Sequence, residues 1–150
     1  MEKNLKAFLD MLAWSEGTST IKASDNGYNV LVGGGLFNGY ADHPRQLIDI
    51  PRLKIKSTAA GRYQLLSRYW DVYRKQLGLK DFSPASQDAV AIQQIKERKA
   101  LQLISDGKIN QAIEKCSNIW ASLPGAGYGQ HEHKIDDLLR KYVQYGGSLS

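Results

Sequence analysis

Lys3-Asn4-Leu5-Lys6-Ala7-Phe8-Leu9-Asp10-Met11-Leu12-Ala13-Trp14-Ser15-Glu16-Gly17-Thr18 is the stretch on which the fold turns. Leu5, Phe8, Leu9 and Leu12 recur at i, i+3, i+4 and i+7, the rhythm of a helix with one buried face. The spacing predicts a helix over 3–15. Gly17 offers the left-handed conformation that commonly closes a helix, which leaves Glu16 at the C-terminal end. There a carboxylate meets the negative pole of the helix dipole, beside the Trp14 indole, which can exclude water. Both effects disfavour the charged form and raise the pKa. A carboxyl group protonated near neutral pH is what a general acid requires. A solvated glutamate at a helix end is the ordinary alternative, and the segment alone does not choose between them.

Beyond this helix, Thr18 to Asn26 has neither helical nor strand period and reads as a loop. Tyr28-Asn29-Val30-Leu31-Val32 reads as a short strand, bounded by Gly27 and the run Gly33-Gly34-Gly35. Leu36-Phe37 and Tyr40 can add further short strands, with turns at Asn38-Gly39 and His43-Pro44. From Thr58 onward the pattern is helical. Thr58 caps a predicted helix running to about Gln76, with Gly78 after its end. Ser83-Pro84 starts another, which carries Val90, Ile92, Ile95, Leu101 and Leu103 until Asp106-Gly107 breaks it. Ile109 to Trp120 is a further helical segment, and Ile135, Leu138, Leu139 and Tyr142 mark the last, before a loose tail at Gly146-Gly147-Ser148. The expectation is α+β: mostly helical, one domain over 1–150. A small β-containing lobe covers about 18–57, and the remainder forms a helical lobe. A cleft between such lobes is the default place for a site.

The bulk properties narrow the function classes. No stretch of some 18 apolar residues occurs, so no membrane-spanning helix is expected. Met1-Glu2-Lys3-Asn4 leads straight into an amphipathic helix without the features of a secretory signal, which predicts a cytoplasmic origin. Cys116, the one cysteine, cannot form an internal disulfide and reads as a buried small apolar residue. The formal net charge of +5 suits an anionic polymer: nucleic acid, a membrane surface or a cell wall. The densest basic run, Lys96-Glu97-Arg98-Lys99, is interrupted by an acid and reads as a solvated helix face. His131 and His133, taken as two residues apart on a helix, would point to different faces, and His43 before Pro44 reads as a turn. No metal and no cofactor are expected.

Three segments are candidates for a site: the Glu16 corner, Gly61-Arg62-Tyr63-Gln64, and the loop around Tyr128. Gly61 permits close backbone approach to a ligand or to a packed neighbour. Gln64 offers an amide, and Tyr63 and Tyr128 offer flat apolar faces with a hydroxyl. This combination suits sugars, although each residue taken singly also has an ordinary structural explanation.

Four stretches carry a resemblance that covers nearly the whole chain. They are Lys6 to Thr18 as quoted above, and Gly61-Arg-Tyr-Gln-Leu-Leu-Ser-Arg68. The others are Tyr73-Arg-Lys-Gln-Leu-Gly-Leu-Lys-Asp-Phe-Ser-Pro84 and Cys116-Ser-Asn-Ile-Trp-Ala-Ser-Leu-Pro-Gly-Ala-Gly-Tyr-Gly-Gln130. The chain resembles the lambda-type phage endolysins, lytic transglycosylases that cut bacterial peptidoglycan. That resemblance implies a lysozyme-like α+β fold with the wall glycan in an interlobe cleft. It implies Glu16 as the catalytic acid, and Gly61, Tyr63, Gln64, Tyr128 and Gln130 as substrate-binding residues. It further implies a monomer held in the host cytoplasm until a holin opens the inner membrane, then acting in the periplasm, with no nucleic-acid partner and no stable membrane association.

The implied chemistry needs one carboxyl group. Glu16 protonates the glycosidic oxygen between N-acetylmuramic acid and N-acetylglucosamine, then removes the proton of the muramic 6-hydroxyl as it attacks the anomeric carbon. Glycosidases that recruit water normally need a second carboxylate. Asp25 or Asp42 would fill that place in a hydrolytic muramidase. Asp25 follows Glu16 by nine residues, a spacing similar to that in T4-type phage lysozymes, but Leu31 stands where those carry threonine. The Asp-Asn-Gly context explains Asp25 as a turn residue. A non-catalytic wall-binding module and a basic nucleic-acid binder are the remaining alternatives.

Overall fold

The computed structural model describes residues 1–127 and 131–150. Among them are six α-helices and one two-stranded sheet. In chain order they are α1 (Lys3–Ser15), β1 (Ile48–Ile50), β2 (Ile55–Ser57), α2 (Ser67–Leu77), α3 (Pro84–Glu97), α4 (Leu101–Ser105), α5 (Ile109–Cys116) and α6 (Ile135–Gln144). The chain forms two compact units, Met1–Glu16 with Ala91–Ser150, and Gly17–Val90.

In the first unit α1 packs against α4 and α6, and α5 against α4 and α6. The Glu2 carboxylate caps α1 by accepting the N–H groups of Asn4 and Leu5. Phe8, Leu9, Met11 and Leu12 are fully buried, together with Ile95, Ile104, Ile109, Ile113 and Tyr142 from the later helices. Asn4 ties this unit together: its amide donates to the Ile104 carbonyl (3.0 Å) and accepts from Ser148 N (3.0 Å). The terminal residues are therefore not a loose tail. Tyr142 Oη donates to the Ser148 carbonyl at 2.9 Å, and Ser150 N to Gly107 O at 3.1 Å. Cys116 is buried as expected, its thiol pushed up to about 12 by burial.

In the second unit the expected strand at 28–32 is reduced to single bridges, Val30 with Leu36 and Leu31 with Ala60. The ladder lies instead at β1 and β2, antiparallel with Ile48 opposite Ser57 and Ile50 opposite Ile55. Each strand has three residues and no fully buried face, so the sequence holds no alternation to betray it. The expected helix from Thr58 starts only at Ser67. Ala60 bridges Leu65 first, with Gly61 and Gln64 in left-handed conformations. Thr58 nonetheless caps that helix across the loop: its Oγ1 accepts from Ser67 N at 3.0 Å. Leu31, Phe37, Ala60, Leu65, Trp70, Phe82 and Val90 form the apolar cluster of this unit. The helix expected to continue through Leu101 is two helices, α3 and α4, divided at Lys99, whose φ is 60°. The segment expected to be helical to Trp120 ends at Cys116.

Candidate active site

Glu16 closes α1 with helical backbone angles, its N–H donating to Leu12 O at 2.8 Å, and Gly17 follows with φ of 77°. That positive φ admits glycine at little cost, so the chain turns away immediately after the carboxyl group. Burial lifts the Glu16 carboxyl from 4.5 to about 7, against the opposing effect of a hydrogen bond from Ser122. Ser122 Oγ donates to Glu16 Oε2 at 2.6 Å and lies 2.9 Å from Ser15 Oγ. The Trp14 indole, expected beside the carboxyl, stacks on the His133 ring at 4.5 Å and carries Lys141 Nζ above it at 5.2 Å.

Residues 131–134 are not helical, contrary to the expectation for the histidine pair. The His131 and His133 rings meet edge to face at 4.9 Å. His133 N donates to the Ser122 carbonyl (2.9 Å), and His133 Nε2 lies 3.0 Å from the Ser15 carbonyl. A carbonyl only accepts, so Nε2 carries the hydrogen, and desolvation keeps the ring's pKa below its usual value. Glu132 between them accepts the N–H groups of Gly125 (3.1 Å) and Gly127 (2.9 Å). These bonds hold its carboxyl below the usual range. Tyr128 and Gln130, both expected to bind substrate, lie outside the described residues.

Gly61, Tyr63 and Gln64 belong to the second unit. Gly61 has φ of 85°, and a Cβ there would collide with Gln87 Oε1 and crowd the Phe82 ring. Its close approach is thus to a packed neighbour, since Gln87 Oε1 accepts the N–H of Arg62 at 2.8 Å. Tyr63 is only 5% exposed. Its hydroxyl donates to Asp88 Oδ1 (2.6 Å) and accepts from Arg62 Nη1 (3.0 Å), and the Arg62 guanidinium lies over its ring at 5.5 Å. The ring therefore serves the packing of its own unit. Gln64 is half-buried with φ of 55°, and its amide donates to Gly61 O (2.9 Å) and Val30 O (3.3 Å).

The two carboxylates considered as a second catalytic group, Asp25 and Asp42, are tied into the scaffold. Asp25 sits in a left-handed turn with φ of 50° and accepts from Tyr40 Oη at 2.5 Å. Asp42 is held down to about 2, chiefly by Arg45, and also accepts from Trp70 Nε1 at 3.0 Å. His43 is buried, with Nε2 on Leu65 O (2.8 Å) and Nδ1 accepting from Arg45 N (2.9 Å). The sequence assigned no site role to Ser15, Ser122 or Glu132, and weighed His133 only as a metal ligand. Ser122 lies 106 residues from Glu16, and no local pattern announces such a contact.

Comparison with known proteins adds the context for this geometry. A family model described as Endolysin matches residues 6–149. The chain is 67% identical over 146 residues to the endolysin of Escherichia phage lambda, covering 96% of this chain and 92% of that protein. It is 52% identical over 155 residues to the endolysin of Escherichia phage P2, covering 97% and 94%. The fold matches bacteriophage lambda lysozyme complexed with a chitohexasaccharide at a TM-score of 0.97 and 64% identity, over 100% of this chain and 98% of that one. A second structure of lysozyme from bacteriophage lambda matches at 0.91 and 62% identity, with the same coverage.

Proposed function

The chain belongs to the endolysin family, and on that premise we propose the means by which it cuts its substrate. It is a peptidoglycan-degrading enzyme with a lysozyme-like α+β fold. We assign it the reaction of a lytic transglycosylase, with Glu16 as its single catalytic carboxyl group.

In the first step neutral Glu16 donates its proton to the glycosidic oxygen between N-acetylmuramic acid and N-acetylglucosamine, and the C–O bond to the anomeric carbon breaks. In the second, the Glu16 carboxylate takes the proton of the muramic 6-hydroxyl while that oxygen bonds to the anomeric carbon. A 1,6-anhydro ring results, and no water is consumed. The acid regains its proton in the same cycle. The observation that carries this reading is the buried Glu16 carboxyl, lifted to about 7, which is a poised acid and base at neutral pH. Two further observations support it: Asp25 is bound by Tyr40 within a turn, and Asp42 by Arg45 and Trp70, so each has a structural role that accounts for it.

Gln64 is assigned to hydrogen-bond the glycan, with Gly61 and Tyr63 shaping the loop that presents it. Tyr128 and Gln130 are assigned to stack on and bond the sugars on the strength of their residue types. The partner is the glycan strand, and the protein acts as a monomer without cofactor. It is retained in the host cytoplasm until a holin opens the inner membrane to the wall.

Mass spectrometry of digested murein tests the reaction directly. Muropeptides ending in anhydro-muramic acid, one water lighter than reducing ends, are expected from the first turnovers. Reducing ends alone would instead establish the hydrolytic reading. Glu16→Gln is expected to lose murein clearing while still sedimenting with the wall, and Asp25→Asn to keep near-normal activity.

A further inference from the structure

Four oxygens form a chain of three contacts that begins at the active-site carboxyl. Glu16 Oε2 lies 2.6 Å from Ser122 Oγ, Ser122 Oγ lies 2.9 Å from Ser15 Oγ, and Ser15 Oγ lies 3.0 Å from the Leu12 carbonyl. Each hydroxyl brings one hydrogen, and the carbonyl brings none. With Glu16 ionised, two hydrogens must serve three contacts, and one contact is left as a meeting of lone pairs. With Glu16 protonated, three hydrogens serve three contacts and all point the same way, from Glu16 to Ser122 to Ser15 to Leu12. The chain of contacts is complete in one protonation state and one hydrogen short in the other. Both serines are buried, at 5% and 7% exposure, where an unmet hydrogen-bond group is costly.

The chain of contacts is held from both ends. Leu12 O also accepts the backbone N–H of Glu16, so the terminal acceptor belongs to the same helical turn as the acid. His133 grips both serines through their carbonyls, with its backbone N–H on Ser122 and its Nε2–H on Ser15. Chain segments more than a hundred residues apart are thereby fixed at hydroxyl contact distance.

We propose that Ser15 and Ser122 form a two-way hydroxyl relay. It holds the Glu16 carboxyl in both forms that its acid–base cycle requires. The assignment rests on the reading of Glu16 as acid and base. While Glu16 is neutral, the Ser122 hydrogen points to Ser15. When the glycan takes the proton, the Ser122 hydrogen turns to the carboxylate and makes a charge-assisted bond. Re-protonation reverses the turn, and no proton passes to Leu12. Ser15 and Ser122 are positioning residues, since they act on the glycan only through Glu16.

The two serines make opposite predictions, which separates a relay from ordinary packing. Ser15→Ala removes the outlet for the Ser122 hydrogen and penalises only the neutral carboxyl. Ser122→Ala removes the charge-assisted donor and penalises the carboxylate most. The titration of the Glu16 side-chain carboxyl, followed by its 13C NMR shift in the intact protein, reads both. The midpoint is expected to fall by about half to one pH unit in Ser15→Ala and to rise by a similar amount in Ser122→Ala. Ser122→Thr, which keeps the hydroxyl, is expected to restore the wild-type midpoint. On murein, Ser122→Ala is expected to lower kcat about tenfold, with KM nearly unchanged and the alkaline limb of the pH profile displaced upward. The titratable groups on the adjoining segments are Asp10 of α1, His131, Glu132 and His133 of the segment before α6, and Asp136, Asp137, Arg140 and Lys141 of α6. None of them is altered in these variants. Ser15→Ala is expected to fold, because alanine suits the last turn of α1, so it carries the test even if Ser122→Ala does not. Midpoints that move in the same direction, or an unmoved midpoint in Ser15→Ala, would overturn the relay. A Glu16→Gln protein that still lyses cells would instead overturn the assignment of Glu16 and leave the titration result standing.

Discussion

Burial lifts Glu16 to about 7 from an ordinary 4.5, and this makes the proposed acid a burden on folding when it ionises. The folded-state value lies above the unfolded one, so the neutral carboxyl's contribution is fully present below about pH 4.5 and is lost as pH rises through about 7. The cost of holding the ionised form amounts to about 3–4 kcal/mol at pH 8, from the free energy equivalent of each pKa unit. Glu16→Gln removes the ionisation but keeps the shape. It is expected to be more stable than wild type by about that amount at pH 8 and nearly equal at pH 4, as read by denaturant midpoints at the two pH values. The same ionisation sets the alkaline limb of kcat/KM, which is expected near pH 7 because the first step needs the neutral form. The sequence made Glu16 legible as a perturbed acid, though the physical cause differs in emphasis. Trp14 stacks on His133, and it is burial of the carboxyl that dominates the shift.

Among the elements, the loop before Tyr128 and the loop before α2 each rest on one side chain. Glu132, itself half-buried, accepts two backbone N–H groups of the 125–127 loop. Glu132→Ala is expected to speed amide exchange at Gly125 and Gly127 well beyond the rest of the first unit, with little change in global stability. The clamp also weakens in wild type as pH falls through the carboxyl's lowered pKa. Gly61 is less forgiving. Alanine there meets both a left-handed backbone and the Gln87 side chain, and a loss of about 2–3 kcal/mol in urea unfolding is expected. This loop shows where the sequence stopped being legible. The cap at Thr58 reads as the start of one continuous helix to about Gln76, whereas the chain loops through two left-handed residues before Ser67 takes up the same threonine hydroxyl. The bounds of α1 and the starts of α3 and α5 were readable because a repeating apolar face or a proline at the first turn fixes them locally. The β1–β2 pairing was not, because strands of three half-exposed residues carry no pattern. Ser122 escaped for a different reason: its role exists only through a contact made across 106 residues.

At the scale of the whole molecule the charge of +5 and the buried carboxyl answer to salt in different ways. Peptidoglycan presents stem-peptide carboxylates along its strands, so a cationic protein is drawn to it over distances longer than any single contact. Such attraction is screened, with a Debye length of about 10 Å at 0.1 M and about 3 Å at 1 M. The surface ion pairs Arg45–Asp71 and Arg140–Asp137 are exposed and contribute little to stability, so their screening by salt is not expected to unfold the chain. Glu16, by contrast, owes its raised pKa mainly to desolvation, which salt changes far less than it changes an attraction between surface charges. Salt should therefore act on the approach to the wall and leave the chemistry alone. Raising sodium chloride from about 0.05 M to about 0.5 M is expected to increase KM on murein severalfold, with kcat and the alkaline pH limb unchanged. A fall in kcat at constant KM would mean that the net charge plays no part in finding the substrate. The Glu16 environment would then have to be more open to solvent than its burial indicates.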